Sequence, residues 1–89
     1  MADYRVLARV RLTPSHRSTG NTRHFLPSGP MPLPVELQIA QYPGDSGFYL
    51  FYLDEHGEVM TDTYHDTLER ALGQGEWEFS VAADEWERS

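Results

Sequence analysis

The sequence predicts an α+β domain, a four-stranded and largely antiparallel sheet (β, long loop, β-meander) with one C-terminal helix packed on one face. Two segments, Tyr4–Leu12 and Val35–Tyr42, alternate with the period of a half-buried strand. Short turn-forming stretches then join the second segment to two further apolar ones, as in a meander. From Asp66 onward the period becomes helical, with Leu68, Ala71, Leu72, Gly75 and Phe79 falling on one side.

In the first segment Val6, Ala8, Val10 and Leu12 point one way, and Arg5, Leu7, Arg9 and Arg11 the other. The arginines read as solubilising groups on an outer face. Residues 13–34 are rich in proline and glycine, which exclude both a helix and an inner strand. Connections longer than about 15 residues are uncommon inside a compact domain. Phe25, Leu26, Met31 and Leu33 give the second half of this loop apolar surface to lie across the sheet. Ser15–His24 has little such surface and is expected to be mobile.

Val35, Leu37 and Ile39 share a face, and Pro43-Gly44-Asp45-Ser46-Gly47 supplies turn chemistry. Phe48–Leu53 is apolar on both faces, as in a strand covered on both sides. Asp54-Glu55-His56-Gly57-Glu58 makes a second turn before Val59–Tyr64. Asp66 is the expected helix cap, with Glu69 completing a capping box. Gly73 and Gly75 each weaken the helix by about 1 kcal/mol, and Gly75 allows close backbone approach. Trp77, Phe79 and Val81 also alternate as in a strand, but the helical stripe covers three turns and prevails. Ala82–Trp86 reads as a short last turn, with Trp86 folding back as an apolar anchor.

The 89 residues form a single domain, 1–89, near the size at which one core suffices. Without cysteine there is neither a disulfide framework nor a thiolate metal site. No stretch approaches the roughly 20 apolar residues of a membrane span. The N-terminus lacks signal-peptide organisation, so a cytoplasmic monomer or homodimer is expected. Residues 1–44 carry Arg5, Arg9, Arg11, Arg17 and Arg23 against Asp3 and Glu36. From Asp45 onward only Arg70 and Arg88 oppose twelve carboxylates, and the net charge is −7. Nucleic acid meets a repulsive field from such a balance.

Several local patterns invite a chemical reading. Gly44-Asp45-Ser46-Gly47 matches the nucleophile segment of chymotrypsin-like serine proteases, which need two barrels and an upstream histidine and aspartate in separate strands. Turn chemistry accounts for it here. His56 and His65 stand among carboxylates but lack the His-x-x-x-His spacing of a helical zinc site or the spacing of a calcium loop. The acids lie in turns and on a polar helix face, where nothing separates their pKa values for acid–base catalysis. No phosphate-binding glycine loop occurs, and no cofactor is expected. Tyr42, Phe48, Tyr49, Phe51, Tyr52 and Tyr64 could stack bases, but stacking platforms need a basic surround. Core packing explains them better.

From Phe48 to Trp86 the chain resembles a set of small acidic bacterial proteins, mostly uncharacterised, some similar to immunity proteins. The resemblance rests on the Phe-Tyr-Leu strand, the Asp54–Glu58 hairpin and Asp62-Thr63-Tyr64-His65. Glu78-Phe79-Ser80-Val81 and Asp84-Glu85-Trp86 complete it. It implies binding to a cognate toxin and brings no catalytic residue.

The expected function is therefore non-catalytic binding of a basic protein by an acidic surface. Asp54, Glu55, Glu58, Asp62, Asp66, Glu69, Glu76 and Glu78 are the acids available for it. The first alternative is a nucleic-acid-associated module, which needs Arg5, Arg9, Arg11, Arg17 and Arg23 to converge. The second is a small metal-dependent hydrolase using His56, His65 and nearby carboxylates.

Overall fold

The computed structural model describes residues 4–13, 16, 25–26, 29–30 and 32–88. Its strands are β1 (Arg5–Arg11), β2 (Phe25–Leu26), β3 (Gly29–Pro30), β4 (Glu36–Gln41), β5 (Phe48–Leu53), β6 (Val59–His65) and β7 (Glu87–Arg88). Helix α1 spans Leu68–Phe79, and a 3-10 turn follows at Ala83–Glu85. The main sheet runs β6-β5-β4-β1-β7, and every described pairing in it is antiparallel. Four main strands and one helix make the fold α+β, as the periodicities predict. Two pairings go beyond that prediction: β7 joins the sheet beside β1, and β2 pairs with β3 within the 13–34 loop.

Alternation along β4 and β5 decides which residues meet the helix. Leu37, Ile39, Leu50 and Tyr52 line that face with Ala8 and Val10, packed by Ala71, Phe79, Val81 and Trp86. Ala40, Phe51 and Leu53 form a second cluster with Tyr4 and Tyr49. The expected alternation of β1 breaks at Leu7. Val6 lies opposite Ala40 and Ala8 opposite Ile39, so two residues span one step of the partner strand. Such a bulge shifts the pattern by one residue, and Val6 no longer shares a register with Ala8 and Val10.

The helix begins one residue later than a cap at Asp66 requires. Thr67 is extended at φ −133° and ψ 157°, and its Oγ1 accepts the Arg70 N–H at 3.1 Å. Glu69 then stands in the first turn, where a carboxylate suits the positive end of the helix dipole, but makes no capping box. Ser80, left-handed at φ 60°, closes the helix, and its N–H donates to the Glu76 carbonyl at 2.9 Å. That cap ends the competition between helix and strand over Glu76–Val81: the helix holds to Phe79, and Val81 turns inward.

Trp86 is buried as expected, and it explains Gly75. A Cβ on Gly75 would lie 2.7 Å from Trp86 Cζ2, whereas one on Gly73 would meet open space. The two glycines therefore answer oppositely to alanine. Gly73→Ala should stabilise by about 0.5–1 kcal/mol through helix propensity. Gly75→Ala should destabilise by about 1 kcal/mol or more, because overpacking outweighs the same gain. Urea denaturation of the two variants checks this, and equal signs would mean that Trp86 does not pack there.

Most of the loop expectations, mobility and apolar cover alike, fall outside what is described: nearly all of Ser15–His24, Met31, and the side chains of Phe25 and Leu26, whose backbone forms β2. One described residue corrects the expected cover. Leu33 is 69% exposed instead of lying on the sheet. His16 is the described residue of Ser15–His24, and its Nδ1 accepts the Thr13 N–H at 3.0 Å while its Nε2 lies 2.8 Å from Glu85 Oε2. Among the described residues no helix is long and apolar enough to cross a membrane.

Candidate partner-binding surface

The β5–β6 hairpin is built by Asp54. Its carboxylate accepts the N–H groups of His56 at 2.8 Å and Glu58 at 3.0 Å, while Gly57 takes the left-handed φ of 78°. The Glu58 N–H bond is the main cause holding the Asp54 carboxyl below its usual range. Asp54 thus serves the turn first. Glu55 and Glu58 remain exposed at the tip, Glu55 lying 3.7 Å from His56.

Along β6 the side chains of Thr61, Thr63 and His65 share the helix side, and Asp62 and Tyr64 the other, opposite Phe51 and Tyr49. Asp62 is exposed, and Tyr64 is 50% exposed. The Tyr64 phenol lies across Gly47, where a Cβ would stand 1.9 Å from its Oη. Partial desolvation, then the nearby Asp45 and Asp66 carboxylates, raise the phenol above its ordinary pKa. Asp66, Glu69 and Glu76 are also exposed. A seven-residue strand is roughly 23 Å long, so Asp66 and the hairpin tip stand at opposite ends of β6.

Glu78 does not belong to this surface. It is 2% exposed on the inner side of α1, where Tyr52 Oη and Gln74 Nε2 both donate to its Oε2. Its position seven residues after Ala71 places it in the buried stripe, a signal that its charge obscured.

The arginines do not converge as the nucleic-acid alternative requires. Arg9 Nε lies 2.9 Å from Glu87 Oε1, and Arg11 Nη1 lies 3.6 Å from Glu36 Oε1. Arg5 is exposed, and Arg17 and Arg23 lie outside the described residues. Arg9, Arg11 and His16 share a cleft of about 640 Å³ with Glu36, Glu85 and Glu87, so its walls carry both signs. The Ala82 N–H, then His16, holds the Glu85 carboxyl low. No local pattern announces this His16–Glu85 contact, made across 69 residues.

The aromatic residues occupy one another. Tyr42–Tyr49 and Tyr49–Tyr64 meet edge to face with centroids 5.3 and 5.1 Å apart, and Tyr4 meets Phe51 at 5.0 Å. Edge-to-face rings suit packing better than flat stacking of bases. Phe48 and Tyr52 lie on the helix side.

Among the described residues, neither histidine of the metal alternative stands in a cluster of carboxylates. His56 is exposed at the hairpin tip, and His65 is half-buried, 2.7 Å from Thr63 Oγ1. Burial lowers the His65 pKa against the raising effect of Glu78 and Asp66. Among the described residues, no three His, Asp or Glu side chains come together as a metal cage would need. The Gly44–Gly47 segment is turn structure: Asp45 N–H donates to the Tyr42 carbonyl at 3.1 Å across Gly44 at φ 79°, and Gly47 N–H donates to Asp45 Oδ1 at 2.9 Å.

No family model matches the chain, and no curated protein or solved structure matches it at a significant level.

Proposed function

We propose that the protein is a non-catalytic binding module whose exposed acids along the β5–β6 hairpin and β6 receive a basic protein. The observation that carries this reading is a cluster of one sign. Glu58, Asp62 and Asp66 are exposed with no described cation in salt-bridge reach, and residues 54–66 hold five carboxylates and no arginine or lysine. Unengaged charge of one sign steers an oppositely charged partner and speeds association. Neutralising a basic toxin, as the immunity-protein resemblance implies, is one role such a surface fits.

A titration of the 15N-labelled chain with a short arginine-rich peptide, and separately with a short single-stranded RNA, tests the reading. The peptide should shift amides of residues 54–66, and added salt should weaken it strongly. The double variant Glu55→Lys with Glu58→Lys should bind the peptide less well, with folding stability within about 0.5 kcal/mol of the parent. RNA binding centred on Arg5, Arg9 and Arg11 would overturn the proposal, as would a substrate turnover that His65→Ala abolishes without unfolding the domain.

A further inference from the structure

Strand β6 ends the sheet. Strand β5 pairs with one of its edges, and among the described residues no strand pairs with the other. In an antiparallel sheet every second residue of such a strand turns its N–H and C=O outward, where they can template another chain. At the opposite end β7 pairs with Ala8 and Arg9 of β1, whose arginines disfavour a basic strand there. At seven residues, β6 has the length for strand addition by a peptide, and it contains neither the lysine nor the proline that often guards an edge.

Charge decides what could add to it. Residues 54–66 contain five carboxylates and no arginine or lysine. A second copy of the chain is a poor occupant. Antiparallel pairing of two β6 strands about their midpoint would set Asp62 against Asp62, and like charges directly opposite destabilise a pair. A basic strand gains from the same carboxylate.

Side-chain geometry adds a pattern. Asp62 and Tyr64 are two residues apart on one face. The Tyr64 ring, held over Gly47 and edge to face with Tyr49, is half exposed. A carboxylate and a fixed aromatic ring both favour a guanidinium or an ammonium. Residues of an added strand that face this side recur at every second position.

We propose that the outer edge of β6 accepts an extended basic peptide as an added strand, with Arg or Lys at alternate positions seated against Asp62 and Tyr64. The inference rests on the basic-partner reading and specifies how that partner is held.

The test uses four peptides on the 15N-labelled chain, followed by NMR and calorimetry. One alternates arginine and valine, one has the same composition in two blocks, and two are alternating peptides N-methylated at all arginines or at all valines. The alternating peptide should bind about tenfold more tightly than the block peptide and slow amide exchange at alternate residues of 59–65. One N-methylated peptide should lose binding and the other keep it, because only one set of N–H groups faces β6. Asp62→Lys, checked for folding by circular dichroism, should weaken the alternating peptide about tenfold.

Equal binding by both N-methylated peptides, or by the block peptide, would overturn strand addition and leave the basic-partner reading standing. No binding by any peptide at low salt would remove both. A dimer with β6 amides protected in the absence of peptide would also overturn the proposal, by making a second copy the occupant.

Discussion

Phe79→Ala should lower the unfolding free energy by about 3–5 kcal/mol, the lost transfer energy of the ring plus a cavity. Phe79 is buried at the last turn of α1, 6.3 Å from the Tyr52 ring and within the same cluster as Leu50 and Val81. Its surroundings cannot easily collapse to refill the space, because the Ser80 cap fixes the backbone on one side and the sheet limits the other. A domain of this size has few kcal/mol to spare. Chemical denaturation measures the effect, and a loss under about 1 kcal/mol would show that the ring contributes little to the core.

Tyr52→Phe should cost about 2–3 kcal/mol near neutral pH, since it takes a buried donor from the Glu78 carboxylate. Its pH dependence separates this from a simple packing defect. Burial, then the hydrogen bond to Glu78, raises the Tyr52 phenol well above its ordinary value of 10.0. A group with a folded pKa above its unfolded one gives its full stabilisation below the unfolded value and loses it as pH rises toward the folded value. The parent should therefore lose stability above about pH 10, and the gap between parent and Tyr52→Phe should narrow there. A gap that stays constant from neutral pH to pH 11 would mean that the phenol is not desolvated as described.

The elements legible in the sequence are those with a local period. Phe48–Leu53 has the predicted bounds because an apolar run between two turns specifies a strand without help from distant residues. The stripe from Leu68 to Phe79 specified α1 for a similar reason. A two-residue strand has no period to read, so β7 was invisible, and its pairing depends on Arg9 far along the chain. The bulge at Leu7 is a property of the pair β1–β4 and not of either strand alone.

The candidate surface was legible in part. Charge density is a local property, so Glu55, Glu58, Asp62 and Asp66 could be named from the sequence. The fate of Glu78 depended on the partners that tertiary packing gave it, Tyr52 and Gln74. The edge position of β6 was hidden as well, because it follows from where β1 enters the sheet, beyond a long loop.

The placement of β1 between β4 and β7 also bears on how the molecule acquires its shape. Strands β4, β5 and β6 follow one another through short turns, so their pairing closes small loops and can start early. β1 must find β4 across the long loop, and the Arg9–Glu87 contact joins residues 78 positions apart. Loop-closure entropy places these contacts late. The hairpin and α1 would then be in place before the N-terminal strand docks, and the slowest step of folding falls to the strand beside β4. Until it docks, β4 presents a second temporary edge, and the half-folded chain is most exposed to association with its own kind.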